Sequence, residues 1–407
     1  MSAVPEIRFP EFDGEWTNDR LANLIQKGRK ITYGIVQPGT FVADGVVLVR
    51  GGDYSGGWSD LSEFRRVTPE IDGPYKRSRL ESGDLLLTIV GANTGTVAIV
   101  PDWLSGANIT QTTARVAIEP KRASPGFIFH FLRTSRGKNE VYRYIKGAAQ
   151  PGLNLADVEK FLFPLPTLPE QQKVATFLGA VDNKIDALRR KHDALKQFKA
   201  GLMQKLFSQE LRFQRDDGPD YPDWEEKRLG KIADIVGGGT PETARPEYWN
   251  GDVDWFTPTE IKSKYAYGSR RRISEKGLRN SSAKVLPAGT LLLCTRATVG
   301  TISIAARPCT TNQGFQSLII RKPHVNEFWY YWVVQNKKEF IRRASGSTFL
   351  EIGKTEVGKL PVLTPHPDEQ KKIADCLAAM DSKIEAVAGQ IAHVESFKAG
   401  LLQKMFV

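Results

Sequence analysis

The sequence contains no run of about eighteen apolar residues, the shortest that an α-helix needs to cross a membrane. The opening residues, MSAVPEIRFP, also lack the apolar core of a secretion signal. Cysteine is scarce, because only Cys294, Cys309 and Cys376 occur, an odd number without the spacing of metal ligands. We therefore expect a cytoplasmic protein with no membrane segment, in which all three cysteines are buried free thiols.

Catalytic motifs are missing as well. No GxxxxGK[ST] phosphate-binding loop occurs, so Gly237-Gly238-Gly239 followed by Thr240-Pro241 is interpreted as a tight turn. No Asn or Asp precedes a Pro-Pro pair, which removes the catalytic motif of adenine methyltransferases. The five histidines are scattered and form no Cys/His cluster. The sequence thus predicts no catalytic residues, no metal site and no cofactor of its own.

What the sequence does contain is a long stretch that occurs twice. Residues 170–207 and 369–406 align without a gap at a constant offset of 199. Each copy would form a rod of roughly 57 Å, at about 1.5 Å per residue, and such a rod needs a partner for stability. We expect the two copies to pack antiparallel on each other. The alternative is two amphipathic helices that pack separately on a core.

Apolar residues in both copies recur alternately three and four positions apart, which is the a/d pattern of a coiled coil. The predicted interface comprises Leu178, Val181, Ile185, Leu188, His192 and Leu195 in the first copy and Leu377, Met380, Ile384, Val387, Ile391 and Val394 in the second. His192 takes the position of Ile391, so the first copy has a polar residue in its seam.

The duplication extends beyond these rods. Trp224 with Arg228-Leu229 repeats Trp16 with Arg20-Leu21, and matching short strands, aromatic helices and proline-rich connectors follow in both halves. The sequence predicts an α/β (α+β) protein with internal pseudo-two-fold duplication, in which two globular domains are separated by two long helices packed as an antiparallel coiled coil. The predicted domains are residues 1–160, 161–208, 209–360 and 361–407, which alternate between globule and helix.

Positive charge is concentrated in a few stretches. The formal net charge is +11, and residues 262–284 hold eight basic residues against one acid. At an offset of 206, Arg65-Arg66 fall on Arg271-Arg272, so two equivalent loops are basic. Arginine can contact phosphate or guanine, although ordinary solvated surface charge is the alternative for any one of them. The candidate DNA contacts are Arg65, Arg66, Lys76, Arg77, Arg79, Lys262, Lys264, Arg270, Arg271, Arg272, Lys276, Arg279 and Lys284.

Three features together resemble the specificity subunit of type I restriction-modification systems, over nearly the whole chain. They are the starts of the rods (LPTLPEQQKVATFLGAVDNKID and HPDEQKKIADCLAAMDSKIE), the repeated FKAGL, and GGGTP followed by EYWNG and Trp255. The resemblance implies two target-recognition domains that each read one part of a split DNA sequence. The first globular segment lacks GGGTP, so its DNA-reading loops are not assumed to be equivalent.

The resemblance also implies partners. These are double-stranded DNA, two modification subunits that bind S-adenosylmethionine and methylate adenine, and two restriction subunits that hydrolyse ATP with Mg and cut DNA; no membrane is implied. One rival interpretation is a self-contained methyltransferase or nuclease with an unrecognised site. Another is a purely structural coiled-coil scaffold, which explains neither the uneven charge nor two elaborate globular segments. The bases that are read depend on loop geometry and cannot be predicted from the sequence.

Overall fold

The computed structural model describes residues 4–147, 149–346 and 350–406. The chain divides into two compact units, one of Met1–Arg190 with Gly389–Val407 and one of Lys191–Ala388. Each unit therefore combines one globular segment with parts of both long helices. The four domain boundaries predicted above remain a prediction.

The first unit builds its globule from short strands and helices. The strands are β1 (Thr17–Arg20), β2 (Thr32–Tyr33), β3 (Val46–Val49), β4 (Arg65–Val67), β5 (Leu85–Thr88), β6 (Val97–Ile99), β7 (Asn108–Ile109), β8 (Thr113–Val116) and β9 (Leu162–Leu165). The α-helices are α1 (Leu21–Leu24), α2 (Pro69–Asp72), α3 (Pro125–Arg133), α4 (Ser135–Tyr142), α5 (Leu155–Val158) and the long α6 (Leu168–Phe207), whose last part belongs to the second unit.

These strands form a four-stranded sheet in the order β2-β8-β5-β6, a three-stranded sheet in the order β4-β3-β7, and the pair β1-β9. Only β3 and β7 run parallel among the pairs between described strands of this unit. Strand β5 lies inside its sheet and all four of its residues are buried, which explains why Leu85-Leu86-Leu87 is an unbroken apolar run. The predicted buried strand is confirmed.

The second unit has corresponding elements. Its strands are β10 (Glu225–Arg228), β11 (Ala233–Gly237), β12 (Trp249–Phe256), β13 (Tyr265–Ala266), β14 (Arg271–Ile273), β15 (Leu291–Leu293), β16 (Ile302–Ala305), β17 (Thr310–Thr311), β18 (Gln316–Ile320) and β19 (Pro361–Thr364). Its helices are α7 (Leu229–Ile232), α8 (Glu275–Arg279), α9 (Asn326–Gln335), α10 (Lys337–Arg342), α11 (Lys354–Lys359) and the long α12 (Pro367–Lys404), whose last part belongs to the first unit.

Strand pairing repeats that of the first unit. The pair β10-β19 matches β1-β9, the sheet β14-β12-β17 matches β4-β3-β7, and β11-β18-β15-β16 matches β2-β8-β5-β6 with β13 added at its edge. Strand β12 runs parallel to β17, as β3 does to β7. The internal duplication predicted from the sequence is thus a duplication of topology.

The long helices α6 and α12 pack antiparallel, as predicted. In the first unit Arg189 bonds Glu395 at 2.6 Å and Asp182 bonds Lys398, so residue numbers rise on one helix as they fall on the other. In the second unit Lys199 bonds Asp381. Among the twelve predicted interface residues, Leu178, Ile185, Leu188, Leu377, Met380 and Val387 are buried, and Val181, His192, Leu195, Ile384, Ile391 and Val394 are half-buried.

Interhelical ion pairs escaped the sequence analysis. Lys199 and Lys398 are the lysines of the two FKAGL repeats, and their partners Asp381 and Asp182 are also related by the offset of 199. The lysines follow Phe198 and Phe397, which are both exposed. The repeat of a lysine and of an aspartate at one offset was the signal that could have revealed them.

The first turn of each long helix is tied to a segment that precedes its globule. Glu170 is buried and accepts two bonds from Arg8, each at 2.7 Å. Glu369, also buried, accepts bonds of 3.1 and 2.9 Å from Arg212 and a third from Trp224 Nε1 at 3.1 Å. The duplicated glutamate therefore fixes equivalent segments in both units.

The following glutamines have an equally regular role. Gln171 accepts a bond from the backbone N–H of Ser124, which precedes α3, and donates to the carbonyl of Pro166. Gln370 does the same with Val325, which precedes α9, and with Pro365. Each glutamine thus joins a long helix to an aromatic helix and to the proline-rich connector.

The structure tests the expectations about membrane segments and about the cysteines. No helix among the described residues is long and apolar enough to cross a membrane. Cys294 and Cys309 are buried, and burial raises the pKa of each thiol to about 12. All three thiols are free, but the prediction of burial was wrong for Cys376, which is half-buried because it lies beside the buried seam residues Ile373 and Leu377 of α12 and not in the seam.

Equivalent positions on α3 and α9 face the interhelical ion pairs with different residues. Tyr331 donates to Asp381 at 2.5 Å and accepts a bond from Lys264 at 2.9 Å. The corresponding residue in the first unit is His130, which is 3% exposed and whose Nδ1 has no hydrogen-bond partner among the described residues. Burial lowers the pKa of His130 to about 3, although the nearby Asp182 opposes this.

We expect this histidine to make stability depend on pH. The unfolded chain takes up a proton near pH 6.5 and folded His130 does not, so its stabilising effect is complete above pH 6.5 and is lost as the pH falls towards 3. Between pH 7 and pH 5 the loss should be about 2 kcal/mol, measured by urea unfolding. His130→Tyr, which copies Tyr331, should remove this part of the dependence. Equal losses in both proteins would contradict the prediction.

Candidate nucleic-acid interface

The basic residues that align between the two halves lie on strands. Arg271 and Arg272 belong to β14, and Arg65 and Arg66 belong to β4. The prediction that these residues are in loops was wrong, because each segment pairs antiparallel with a neighbouring strand, β12 or β3. A strand holds its backbone by ladder hydrogen bonds, so these arginines leave their sheets from fixed positions.

Arg271 stacks on a pair of tryptophans. Its guanidinium carbon lies 3.6 Å from the ring centre of Trp249 and 5.3 Å from that of Trp255. The two indoles meet edge to face at 5.0 Å, and their Nε1 atoms donate to the carbonyls of Glu242 and Gly239. A cation over tryptophan is stabilised electrostatically, and the anchored rings restrict the plane of the guanidinium.

Arg272 is held by a buried carboxylate. Asp254 is 4% exposed and lies opposite Arg272 in the β12–β14 register. Its Oδ1 atom is 3.3 Å from Nε of Arg272 and accepts bonds from the backbone N–H and the hydroxyl of Ser269, while its Oδ2 accepts a bond of 2.6 Å from Nε of Arg307. We call Asp254, Ser269, Arg272 and Arg307 the Asp254 cluster.

Hydrogen bonds from Arg307 and Ser269 favour the ionised form of Asp254. Burial opposes ionisation, but the bonds from Arg307 and Ser269 outweigh it and lower the pKa of the carboxyl. Both arginines remain about half exposed. Arg307 was missed by the sequence analysis, because it lies far from the basic run and only the pairing of β12 with β17 brings it close.

The GGGTP motif packs against this surface, but the prediction of a tight turn was wrong, because Gly237 ends β11 and the residues from Gly238 to Pro241 continue without a turn. Gly239 donates to the carbonyl of Thr311 at 2.8 Å. A Cβ atom on Gly238 would lie 2.0 Å from the carbonyl oxygen of Asn312, and one on Gly239 would lie 2.4 Å from the backbone nitrogen of Ala283. The glycines are therefore required by close backbone approach.

The first unit has a related but simpler surface. The guanidinium of Arg65 lies 4.4 Å from the ring centre of Phe41 and thus resembles Arg271. Arg66 donates to the carbonyl of Gly45 at 3.3 Å, and the residue opposite it in β3 is Val47, where the second unit has Asp254. The expectation that the two DNA-reading surfaces are not equivalent agrees with this difference.

The other predicted contacts divide by their surroundings. Those exposed to solvent are Lys76, Arg77, Lys262, Arg270, Lys276, Arg279 and Lys284. Arg79 is bonded to the fully buried Asp72, and Lys264 donates to Tyr331, with burial lowering its pKa. Arg79 and Lys264 thus have structural partners, and DNA contact by any of these residues remains a prediction. Within the described ranges no three His, Cys, Asp or Glu side chains form a group that could hold a metal ion.

Comparison of the sequence with models of protein families identifies the class of this protein. The model of the type I restriction modification DNA specificity domain matches residues 16–197 and again residues 221–396. The chain belongs to this family, and the two matches cover both halves of the duplication.

Individual relatives agree with this assignment. The MjaIX specificity subunit of Methanocaldococcus jannaschii is 36% identical over 212 residues, which are 51% of this chain and 49% of that protein. The EcoBI specificity subunit of Escherichia coli is 32% identical over 223 residues, 53% of this chain and 45% of the relative. These alignments span about half the length of each relative. The putative MjaX specificity subunit is 26% identical over 84% of this chain and 82% of its own length.

Solved structures share the fold. The S subunit of a type I system from M. genitalium has a TM-score of 0.61 at 14% identity and covers 99% of both chains. A chain from a study of complex assembly and conformational transition of the type I R-M system has a TM-score of 0.59 at 21% identity, over 97% of this chain and 98% of its own.

Proposed function

We propose that this protein is the DNA-specificity subunit of a type I restriction-modification system and recognises an interrupted, two-part DNA target. The observation that carries the proposal is the repeated pair of basic strands, β4 and β14, on one duplicated framework that matches the specificity domain twice. Each globule would read one half-site. The exposed arginines would provide phosphate contacts for affinity and base contacts for specificity.

The chain itself is non-catalytic under this proposal. It would bind double-stranded DNA in the cytoplasm and would act with two modification subunits and two restriction subunits. S-adenosylmethionine, ATP and Mg would be used by those partners. The named relatives are specificity subunits of type I restriction enzymes, which supports this division of labour.

The decisive experiment is co-expression of the full chain with its modification subunits, followed by mapping of methylated adenines. We expect a single motif with two specified parts and an unspecified gap, because each unit carries its own basic surface. A single uninterrupted motif would refute the proposal. The purified chain alone, with S-adenosylmethionine, Mg²⁺ and DNA, should neither methylate nor cut; activity there would instead support a self-contained enzyme.

A further inference from the structure

The Asp254 cluster directs two arginine side chains towards one buried carboxylate, Arg307 through a hydrogen bond and Arg272 through an ion pair. Both arginines use Nε towards the carboxylate, at 3.3 Å for Arg272 and 2.6 Å for Arg307. Their terminal Nη groups make no hydrogen bond to any residue that the structure describes. Each guanidinium therefore contacts the carboxylate through Nε alone, and its two Nη groups are left to donate to another molecule.

A phosphate does not require such an arrangement. A flexible lysine contacts phosphate as a point charge, and a buried aspartate that neutralises one positive charge would weaken a purely electrostatic contact. Guanine, in contrast, presents O6 and N7 as two neighbouring acceptors in the major groove, and an oriented guanidinium fork matches both. A buried carboxylate that orients guanidinium groups therefore fits the reading of guanine better than the binding of phosphate.

The cluster is also confined to one half of the duplication. Features that hold the framework together, including the Glu170 and Glu369 anchors, occur in both units. The Asp254 cluster does not, because Val47 replaces the aspartate and Arg66 bonds a backbone carbonyl instead. A feature that differs between two units of the same topology fits a role in distinguishing DNA sequences better than a role in building the fold.

We propose that Asp254 is a positioning residue and that Arg272 and Arg307, oriented by it, read guanine in the half-site bound by the second unit. Arg271 precedes Arg272 on β14, so its side chain lies on the other face of the strand, where it stacks on Trp249 and is not part of the cluster. This inference rests on the proposed function and adds the base class and the residues that select it.

The test uses the full chain assembled with its modification subunits, and variants that keep the charge. Arg272→Lys and Arg307→Lys remove the fork, and the matched control is Arg321→Lys, since Arg321 is about half exposed and bonded to Asp234 at 2.5 Å in the same unit. We expect a guanine of one half-site to become degenerate in the methylated motif, with discrimination falling about 10- to 100-fold. The other half-site, the gap and the salt dependence should stay unchanged, because no charge is lost.

The Asp254→Asn variant distinguishes a positioning role of Asp254 from a purely structural role. It should make the same guanine degenerate, while binding to non-specific DNA stays equal or rises because a negative charge has been removed. A lower melting temperature with an unchanged motif would mean that the cluster is structural and would overturn the inference.

Different results would refute the guanine readout by the Asp254 cluster and the proposed function. If the wild-type complex methylates an interrupted motif that is the same in Arg272→Lys and Arg307→Lys, guanine readout by this cluster is wrong and the proposed function stands. If the lysine variants lose both half-sites together, the cluster supports the fold and the inference is also wrong. A wild-type complex that methylates no interrupted motif would refute the proposed function.

Discussion

Arg212→Ala is expected to destabilise the second unit by about 3 kcal/mol, because it leaves a buried carboxylate without its charged partner. Glu369 has no exposed surface and accepts two bonds from Arg212. Trp224 still donates one bond, and Arg212 is itself 24% exposed, so the expected cost is at the lower end for a broken buried pair. Urea unfolding at neutral pH measures the change.

Two further variants isolate the cause. Arg215→Ala, three residues on and exposed, should change the free energy of unfolding by no more than about 0.5 kcal/mol. Glu369→Gln should cost less in the Arg212→Ala background than in the wild type, because the unpaired charge is then removed. Independent, additive effects of the two substitutions would show that Arg212 stabilises the protein in some other way.

The triple variant Arg270→Ala, Arg271→Ala, Arg272→Ala should weaken DNA binding by the assembled complex about a hundredfold or more near 0.1 M salt. Each phosphate contact releases counterions, and with Arg272 assigned to guanine only Arg270 and Arg271 remain for phosphate, so the slope of log K against log salt should decrease by up to about 2. All three side chains are exposed on or beside β14. Binding titrations at several salt concentrations measure both quantities.

A control must remove the same charge elsewhere in the second unit. Lys337→Ala, Lys338→Ala, Arg342→Ala does so on the exposed side of α10, outside the predicted contacts. This variant should keep most of the affinity and nearly the wild-type slope. Unchanged binding in the Arg270–Arg272 variant would mean that β14 faces solvent in the complex, and equal losses in both variants would indicate a general charge effect.

Much of the architecture was predictable because its signals are local or repeated. The seam positions recur with the period of a helix, so Leu178 and Leu377 could be placed on paired rods from the spacing of apolar residues alone. The unbroken run at Leu85 to Leu87 indicated a strand covered on both faces. Repetition at a fixed offset then predicted that the two halves share a fold.

The basic surface was predictable only in part. Arg271 and Arg272 were selected by charge density and by their match to Arg65 and Arg66. Their placement on strands was missed, because consecutive arginines carry no apolar alternation and the adjoining segments contain turn residues. The residues that orient them are acidic or aromatic, so a search for positive charge could not select them.

The sequence by itself determined the repeat, the two rods and the concentration of charge, since each of these is a pattern between near neighbours or between aligned copies. Only the tertiary structure decided which side chains meet across long separations. Asp254 reaches Arg307 through the parallel pairing of β12 with β17, and Arg212 reaches Glu369 across 157 residues. Such contacts depend on how strands and helices pack, and no periodicity of the chain encodes them.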